Sequence, residues 1–119
     1  TILVVEDYED SRQMLKFFLE DSGYRVAEAV NGYEAIEYVK KTMPDLILMD
    51  MSMPEIDGLA ATRHIKKLAD TDHIPVICIT AHDQFYSDKA IEAGCSEVVG
   101  KPLDLESLSE LIERYLKND

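Results

Sequence analysis

Basic residues are scarce in this chain. Twelve lysines and arginines face 24 aspartates and glutamates, leaving a formal net charge of −12 over 119 residues. Such a surface repels polyanions, and no basic stripe offsets it, so direct nucleic-acid binding is excluded. Apolar runs long enough to span a bilayer are missing too, which leaves no membrane segment. No signal peptide is expected, because Thr1-Ile2 leads almost at once into a strand; the lack of an initiating Met implies residues before Thr1. The only cysteines are Cys78 and Cys95, too few for a disulfide framework. Cys78 lies in an apolar run and reads as a small reduced hydrophobe, which implies a cytoplasmic setting. His64, His73 and His82 lack the spacing of metal ligands. Internal repeats, low-complexity segments and linkers are absent as well.

What remains is the composition of one soluble globular domain over residues 1–119, since 46% hydrophobic content is enough for a sizeable core. Apolar runs alternate with helical patterns from end to end. Ile2–Val5 reads as a strand covered on both faces. A helix follows, capped by Asp10 or Ser11, with Met14, Leu15, Phe18 and Leu19 on one face and a stop at Ser22-Gly23. Tyr24–Ala29 is a weaker, edge-like strand. Asn31-Gly32 turns into a helix buried through Ala35, Ile36 and Val39. A strand ends at Asp50, and Met51 to Gly58 is a loop of turn formers. The third helix buries Ala61, Ile65 and Leu68. Pro75 opens a fourth strand, and a polar helix over Phe85–Ala93 has only Ala90 and Ala93 to bury. A short strand ends at Gly100. Asp104 caps a last helix with Leu105, Leu108, Ile112 and Tyr115 inward. Lys40-Lys41 and Lys66-Lys67 read as outer helix faces, and Met49 and Met51 as packing residues. Five strands strictly alternating with five helices, joined by right-handed crossovers, make a doubly wound α/β parallel sheet.

The reactive residues sit at matching strand ends. Glu6 and Asp7 follow the first strand, Asp50 ends the third, Thr80 the fourth, and Lys101 follows the fifth. Open α/β sheets bind ligands outside the carboxyl ends of their strands. Three acids, a hydroxyl and an ammonium therefore meet at one rim, which is the makeup of a metal-assisted phosphoryl site with Asp50 as acceptor. Phosphoryl transfer is mostly positioning and charge stabilisation, and a divalent cation such as Mg²⁺ favours the oxygen ligands that Glu6, Asp7 and Asp50 offer. Lys101 can pair with Asp50 at rest and with a phosphoryl oxygen afterwards. A cis Lys101–Pro102 bond would aim it inward. The Thr80 hydroxyl can donate to a phosphoryl oxygen.

These residues, with Gly32-Tyr33-Glu34-Ala35, Pro44 through Gly58, Pro75 through Ala81, Ala93-Gly94 and Lys101-Pro102, resemble the receiver domain of bacterial two-component response regulators, chemotaxis-regulator-like, from end to end. The resemblance implies a flavodoxin-like fold with strand order 2-1-3-4-5. It implies a phosphorylation-dependent signalling receiver that takes a phosphoryl group onto Asp50 from a sensor histidine kinase or a histidine phosphotransfer protein. It further implies Mg²⁺ (or Mn²⁺) held by Asp7 and Asp50, by Glu6 through water, and by the backbone carbonyl of Ser52. Thr80 corresponds to the switch hydroxyl and Lys101 to the family's lysine. Three residues before that lysine the family usually has Tyr or Phe; here Val98 stands there, short and stiff at χ1. The fourth helix, last strand and last helix form the usual contact face, for a homodimer or an output domain. Ser52 and His82 occupy positions that tune phosphoryl lifetime.

Three other functions compete. An aspartate-nucleophile phosphatase of the haloacid-dehalogenase type would carry a second Asp two residues after the first, where this chain has Ser52; the expectation is no enzyme beyond slow self-phosphorylation and self-dephosphorylation. A flavin carrier needs a donor-rich first turn, and Glu6-Asp7-Tyr8-Glu9-Asp10 would repel a flavin phosphate. A phosphorylation-independent interaction module would typically have lost an acid, the acceptor or the lysine, and this chain has all of them.

Overall fold

The computed structural model describes residues 1–51, 58–68, 71, 73–80 and 84–117. Among the described residues the chain runs β1 (Ile2–Val5), α1 (Glu9–Asp21), β2 (Val26–Ala29), α2 (Gly32–Lys41), β3 (Leu46–Asp50), α3 (Gly58–Lys67), β4 (Val76–Thr80), α4 (Gln84–Ala93), β5 (Glu97–Gly100) and α5 (Leu105–Lys117). The strands form one parallel sheet in the order β2-β1-β3-β4-β5, the flavodoxin-like arrangement that the family resemblance implies.

The three middle strands explain the continuous apolar runs. Every residue of β1, β3 and β4 is buried, because helices cover both faces of the sheet. Alternate side chains then feed two separate cores. Leu3, Val5, Ile47, Met49, Val76 and Cys78 pack with Ala35, Ile36, Val39, Ala61 and Ile65 from α2 and α3 and with Ala90 and Ala93 from α4. Ile2, Val4, Leu46, Leu48, Ile77 and Ile79 pack with Leu15 and Leu19 of α1 and Leu108, Leu111 and Ile112 of α5. The edge strand β2 alternates less cleanly and is only half buried.

Several local expectations change. Helix α1 starts at Glu9, one turn position before the expected cap; its N-cap is Tyr8, and no side chain caps it. Asp10 instead lies in the first turn, where its charge suits the helix dipole. The buried stripe of α1 is Arg12, Leu15 and Leu19, while Met14 is 43% exposed. The stripe is therefore rotated from the Met14 side toward Arg12. By contrast α5 begins as expected at its Asp104 cap, and Asn31, read from the sequence as part of a turn, caps α2. The Asn31 side chain accepts from the Glu34 N–H at 2.9 Å, and Asp104 accepts from Glu106 at 3.1 Å. Lys66 also departs from a plain outer-face role, since its Nζ donates to the Ile74 carbonyl at 2.6 Å.

Cys78 and Cys95 are joined by a disulfide, which corrects the expectation of two reduced thiols. They lie 17 positions apart in the chain, but Cys78 pairs in register with Val98, so the turn entering β5 folds back over β4. Their Cα atoms are 6.2 Å apart, within bridging range.

Gly58 opens α3 directly against the chain leaving β3. A Cβ there would meet the Asp50 carbonyl oxygen and stand 2.8 Å from Met51 Cα, with backbone unable to give way. Close approach, and not a turn conformation, requires the glycine. Gly58→Ala is expected to lower stability by about 1–3 kcal/mol, as overpacking does, in a urea titration followed by circular dichroism. A loss below about 0.5 kcal/mol, the ordinary surface range, would show that this contact is not tight.

Candidate functional site

The parallel register sets the site. Val5 pairs with Met49, Asp50 with Ile79, and Thr80 with Gly100, so the strands end level with one another. Backbone bonds continue the alignment past the strand ends. The Met51 N–H donates to Ile79 at 3.0 Å, and the Lys101 N–H to Thr80 at 2.9 Å. At the other side the Glu6 N–H donates to Ala29 at 3.1 Å. Glu6, Asp7, Asp50, Thr80 and Lys101 are thereby delivered to one rim from four strands.

Burial then divides their roles. Glu6, Asp50 and Thr80 are each at most 5% exposed, whereas Asp7 and Lys101 reach solvent. Carboxylate oxygens of Glu6, Asp7 and Asp50 all lie within 4.8 Å of one another. Lys101 Nζ stands 3.7 Å from Asp50 Oδ1. The Lys101–Pro102 peptide is cis. Three oxygen ligands from carboxylates, partly open to water, are the donor set a hard divalent cation prefers.

The electrostatics point the same way. The Glu6 carboxyl is pushed up to about 8, first by burial, then by its hydrogen bond to Asp50 and the Asp50 charge. The Tyr8 N–H, 3.4 Å from Glu6 Oε2, and the Lys101 ammonium pull in the opposite direction and are outweighed. Without a cation, then, burial beside the Asp50 charge favours the protonated form of Glu6 near neutrality. A divalent ion would take the place of that proton, which is a fit between the residues present and the group.

Ser52 and His82 lie outside the described residues. Val98 is half-buried in β5, against the core on the α2, α3 and α4 side. His64 and His73 are exposed.

Sequence reasoning missed Arg12. Its side chain is buried beside the rim, with Nη1 donating to the Glu6 carbonyl at 3.1 Å and Nε to Glu28 Oε1 at 3.0 Å. Glu28 on β2 also accepts from Gln13 at 2.7 Å and pairs with Lys16 at 3.2 Å. Burial raises the Glu28 carboxyl, but the hydrogen bonds from Arg12 and Lys16 outweigh it and hold the group below its usual range. The signal was present in the spacing: positions 12, 15 and 19 share one face at i, i+3 and i+7, so an arginine occupies an inward position.

Known proteins resemble the chain along nearly its whole length. The sequence profile described as "Response regulator receiver domain" matches residues 2–113. The polar-differentiation response regulator DivK of Brucella anthropi is 35% identical over 117 residues, covering 98% of this chain and 95% of that protein. Among solved structures, the signal receiver domain of a signal transduction histidine kinase from Syntrophus aciditrophicus superposes with a TM-score of 0.91 at 37% identity, covering 98% of this chain and 89% of that one. The receiver domain of a Pseudomonas aeruginosa sensor histidine kinase, with a magnesium ion coordinated in its active site cleft, superposes at 0.92 with 30% identity, covering 98% and 97%.

The raised Glu6 carboxyl makes a pH prediction. Its folded value lies above the unfolded value of 4.5, so the stability it contributes is complete below 4.5 and is lost as pH rises through about 8. In chelator, the melting temperature is expected to fall from about pH 5 to about pH 9 more steeply than that of Glu6→Gln, which has no carboxyl to titrate. Parallel curves for the two proteins would mean that Glu6 ionises normally.

Proposed function

The chain belongs to the response regulator receiver domain family, and on that premise we propose that residues 1–119 are one receiver unit in which Asp50 accepts a phosphoryl group from a phosphohistidine. It is a phosphorylation-dependent signalling receiver, and its partners are histidine kinases. The finer reading names the donor as a sensor histidine kinase or a histidine phosphotransfer protein. One observation carries Asp50 as the acceptor: it is buried, with Lys101 Nζ 3.7 Å away and two further carboxyls within 4.8 Å.

The transfer forms a bond between an Asp50 carboxylate oxygen and phosphorus while the nitrogen–phosphorus bond breaks, its electron pair staying on the imidazole. Both partners in that step are anionic, so charge must be offset. Mg²⁺ or Mn²⁺ would be held by Asp7 and Asp50, by Glu6 through water and, as the family resemblance implies, by the Ser52 carbonyl, and would supply positive charge to offset the two anions. Lys101 is already beside Asp50 and can follow the new charge onto a phosphoryl oxygen. Thr80, buried at the end of β4, has a hydroxyl that can donate to a phosphoryl oxygen. The unit is a signalling domain and not an enzyme turning over a free substrate; self-phosphorylation and self-dephosphorylation are slow.

The output side is the surface of α4, β5 and α5, where a second copy or an output domain would bind. Val98, in β5, replaces the family's usual ring with a side chain that cannot make a large swing. Readout therefore passes through the Thr80 end of β4 and through α4, with Val98 following and not leading.

A small phosphodonor with Mg²⁺ tests the assignment by intact mass. Wild-type protein is expected to gain one phosphoryl group, and chelator to prevent it. Asp50→Asn is expected to gain none, Asp7→Asn to gain less through lost metal, and Lys101→Ala to label but no longer change its affinity for a partner. Normal labelling of Asp50→Asn would place the acceptor elsewhere.

We place the protein in the cytoplasm, where glutathione and thioredoxin keep thiols reduced. The Cys78–Cys95 pair provides a check, since a disulfide favours an oxidising setting. The cytoplasmic thiol pool would open the bond that the structure holds, so rapid acid quench of cells followed by alkylation is expected to find both thiols free in the cell. A pair already oxidised at quench would argue for another compartment.

A further inference from the structure

We propose that Arg12 is a positioning residue for the acidic site: its guanidinium fixes the Glu6–Asp7 peptide and so sets how tightly the carboxyl cluster holds a divalent cation. The inference rests on the receiver reading above and concerns a residue that touches neither the cation nor the phosphoryl group.

The geometry is a three-way anchor. Nη1 donates to the Glu6 carbonyl at 3.1 Å, Nε to Glu28 at 3.0 Å, and Nη2 lies 3.7 Å from Glu9. One planar group thus ties the chain leaving β1 to the edge strand β2 and to the first turn of α1. The Glu6 N–H is separately bonded to Ala29 of β2. Both backbone polar groups of Glu6 are therefore committed, and the carbonyl that Arg12 holds belongs to the peptide that leads into Asp7. With that peptide plane fixed, Glu6 and Asp7 leave the strand in set directions.

Position matters more here than in most turns. Asp7 is exposed and Glu6 buried, so the two acids reach the cluster from different environments. A loop free to rock would let Asp7 swing into solvent, away from Asp50. Partners of metal-binding groups commonly set metal affinity by about 10- to 100-fold through such anchoring. Lysine is not an equivalent residue: a single ammonium cannot span a carbonyl and a carboxylate with a rigid fork.

Magnesium titration by calorimetry on the whole chain tests this, with the melting temperature in chelator recorded alongside. Wild type is expected to bind Mg²⁺, Arg12→Met about tenfold more weakly, and Arg12→Lys nearly as weakly as Arg12→Met. Glu28→Gln, which keeps an oxygen for Nε, is expected to stay within about twofold of wild type, and Glu28→Leu to weaken binding in the same direction as Arg12→Met. Should Arg12→Met fail to fold, Arg12→Lys and Glu28→Leu carry the comparison. Equal affinity in Arg12→Met and wild type, with only a lower melting temperature, would reduce Arg12 to a structural part and overturn the proposal. Wild-type affinity in Arg12→Lys would also overturn it, by showing that charge and not anchoring matters. If wild type itself binds no Mg²⁺, the receiver reading fails with it; if wild type binds and all variants match it, only the Arg12 inference fails.

Discussion

Crowding of negative charge at one rim of the sheet is the constraint on which the rest of this structure turns. Two unit charges about 4 Å apart repel by about 4 kcal/mol at an effective dielectric constant near 20. Glu6, Asp7 and Asp50 lie within that order of distance, and two of them are buried. The fold tolerates this in two ways. Glu6 keeps a proton, its carboxyl pushed up to about 8, and Asp50 has Lys101 beside it. A proton and a mobile ammonium are both readily displaced or redirected. An acidic rim relieved in this manner is prepared for a divalent cation, which substitutes for the proton, and for a dianionic group, toward which the Lys101 ammonium can turn.

Rigidity comes from the strands behind the rim. β1, β3 and β4 are buried along their whole lengths and feed two cores, one with α1 and α5 and the other with α2, α3 and α4. A sheet covered on both sides cannot slide by one residue without turning its side chains to the wrong face. Level strand ends follow from that, and so does convergence of residues separated by up to 95 positions, from Glu6 to Lys101. Gly58 adds a local condition, letting α3 start against the backbone just after Asp50.

Much of this was legible in the sequence because it depends on period and position. Continuous apolar runs gave the middle strands, and a reactive residue at the end of each gave the rim. The strand order 2-1-3-4-5 came from family resemblance, since alternation of strands and helices is compatible with more than one order. What escaped depended on contacts between distant segments. Reading Met14 as core follows hydrophobicity, which passes over Arg12, whereas α1 is rotated so that Arg12 faces inward and Met14 outward. The Cys78–Cys95 bond escaped because only the β4–β5 register brings the two segments together. The raised Glu6 carboxyl required knowing how deeply it is buried beside Asp50.

The weak pattern of β2 belongs to the same account. Val26–Ala29 contains Glu28, a residue poorly suited to strands, at a register position opposite Val4. Its place is intelligible only with Arg12, Gln13 and Lys16 of α1, all of which point at its carboxylate. Arg12 is buried while Glu28 stays partly exposed, and a buried charge is seldom the most stable choice for a site, since a well-packed apolar residue often does as well. Its benefit here is directional. An apolar pair at positions 12 and 28 would fill the same space and leave the Glu6 carbonyl without a donor. Violations of local preference tend to mark positions under a functional demand. In this chain two of them, an acid in a strand and an arginine on a buried helix face, are partners in one network, and that network ends on the peptide between the two acids of the first strand end.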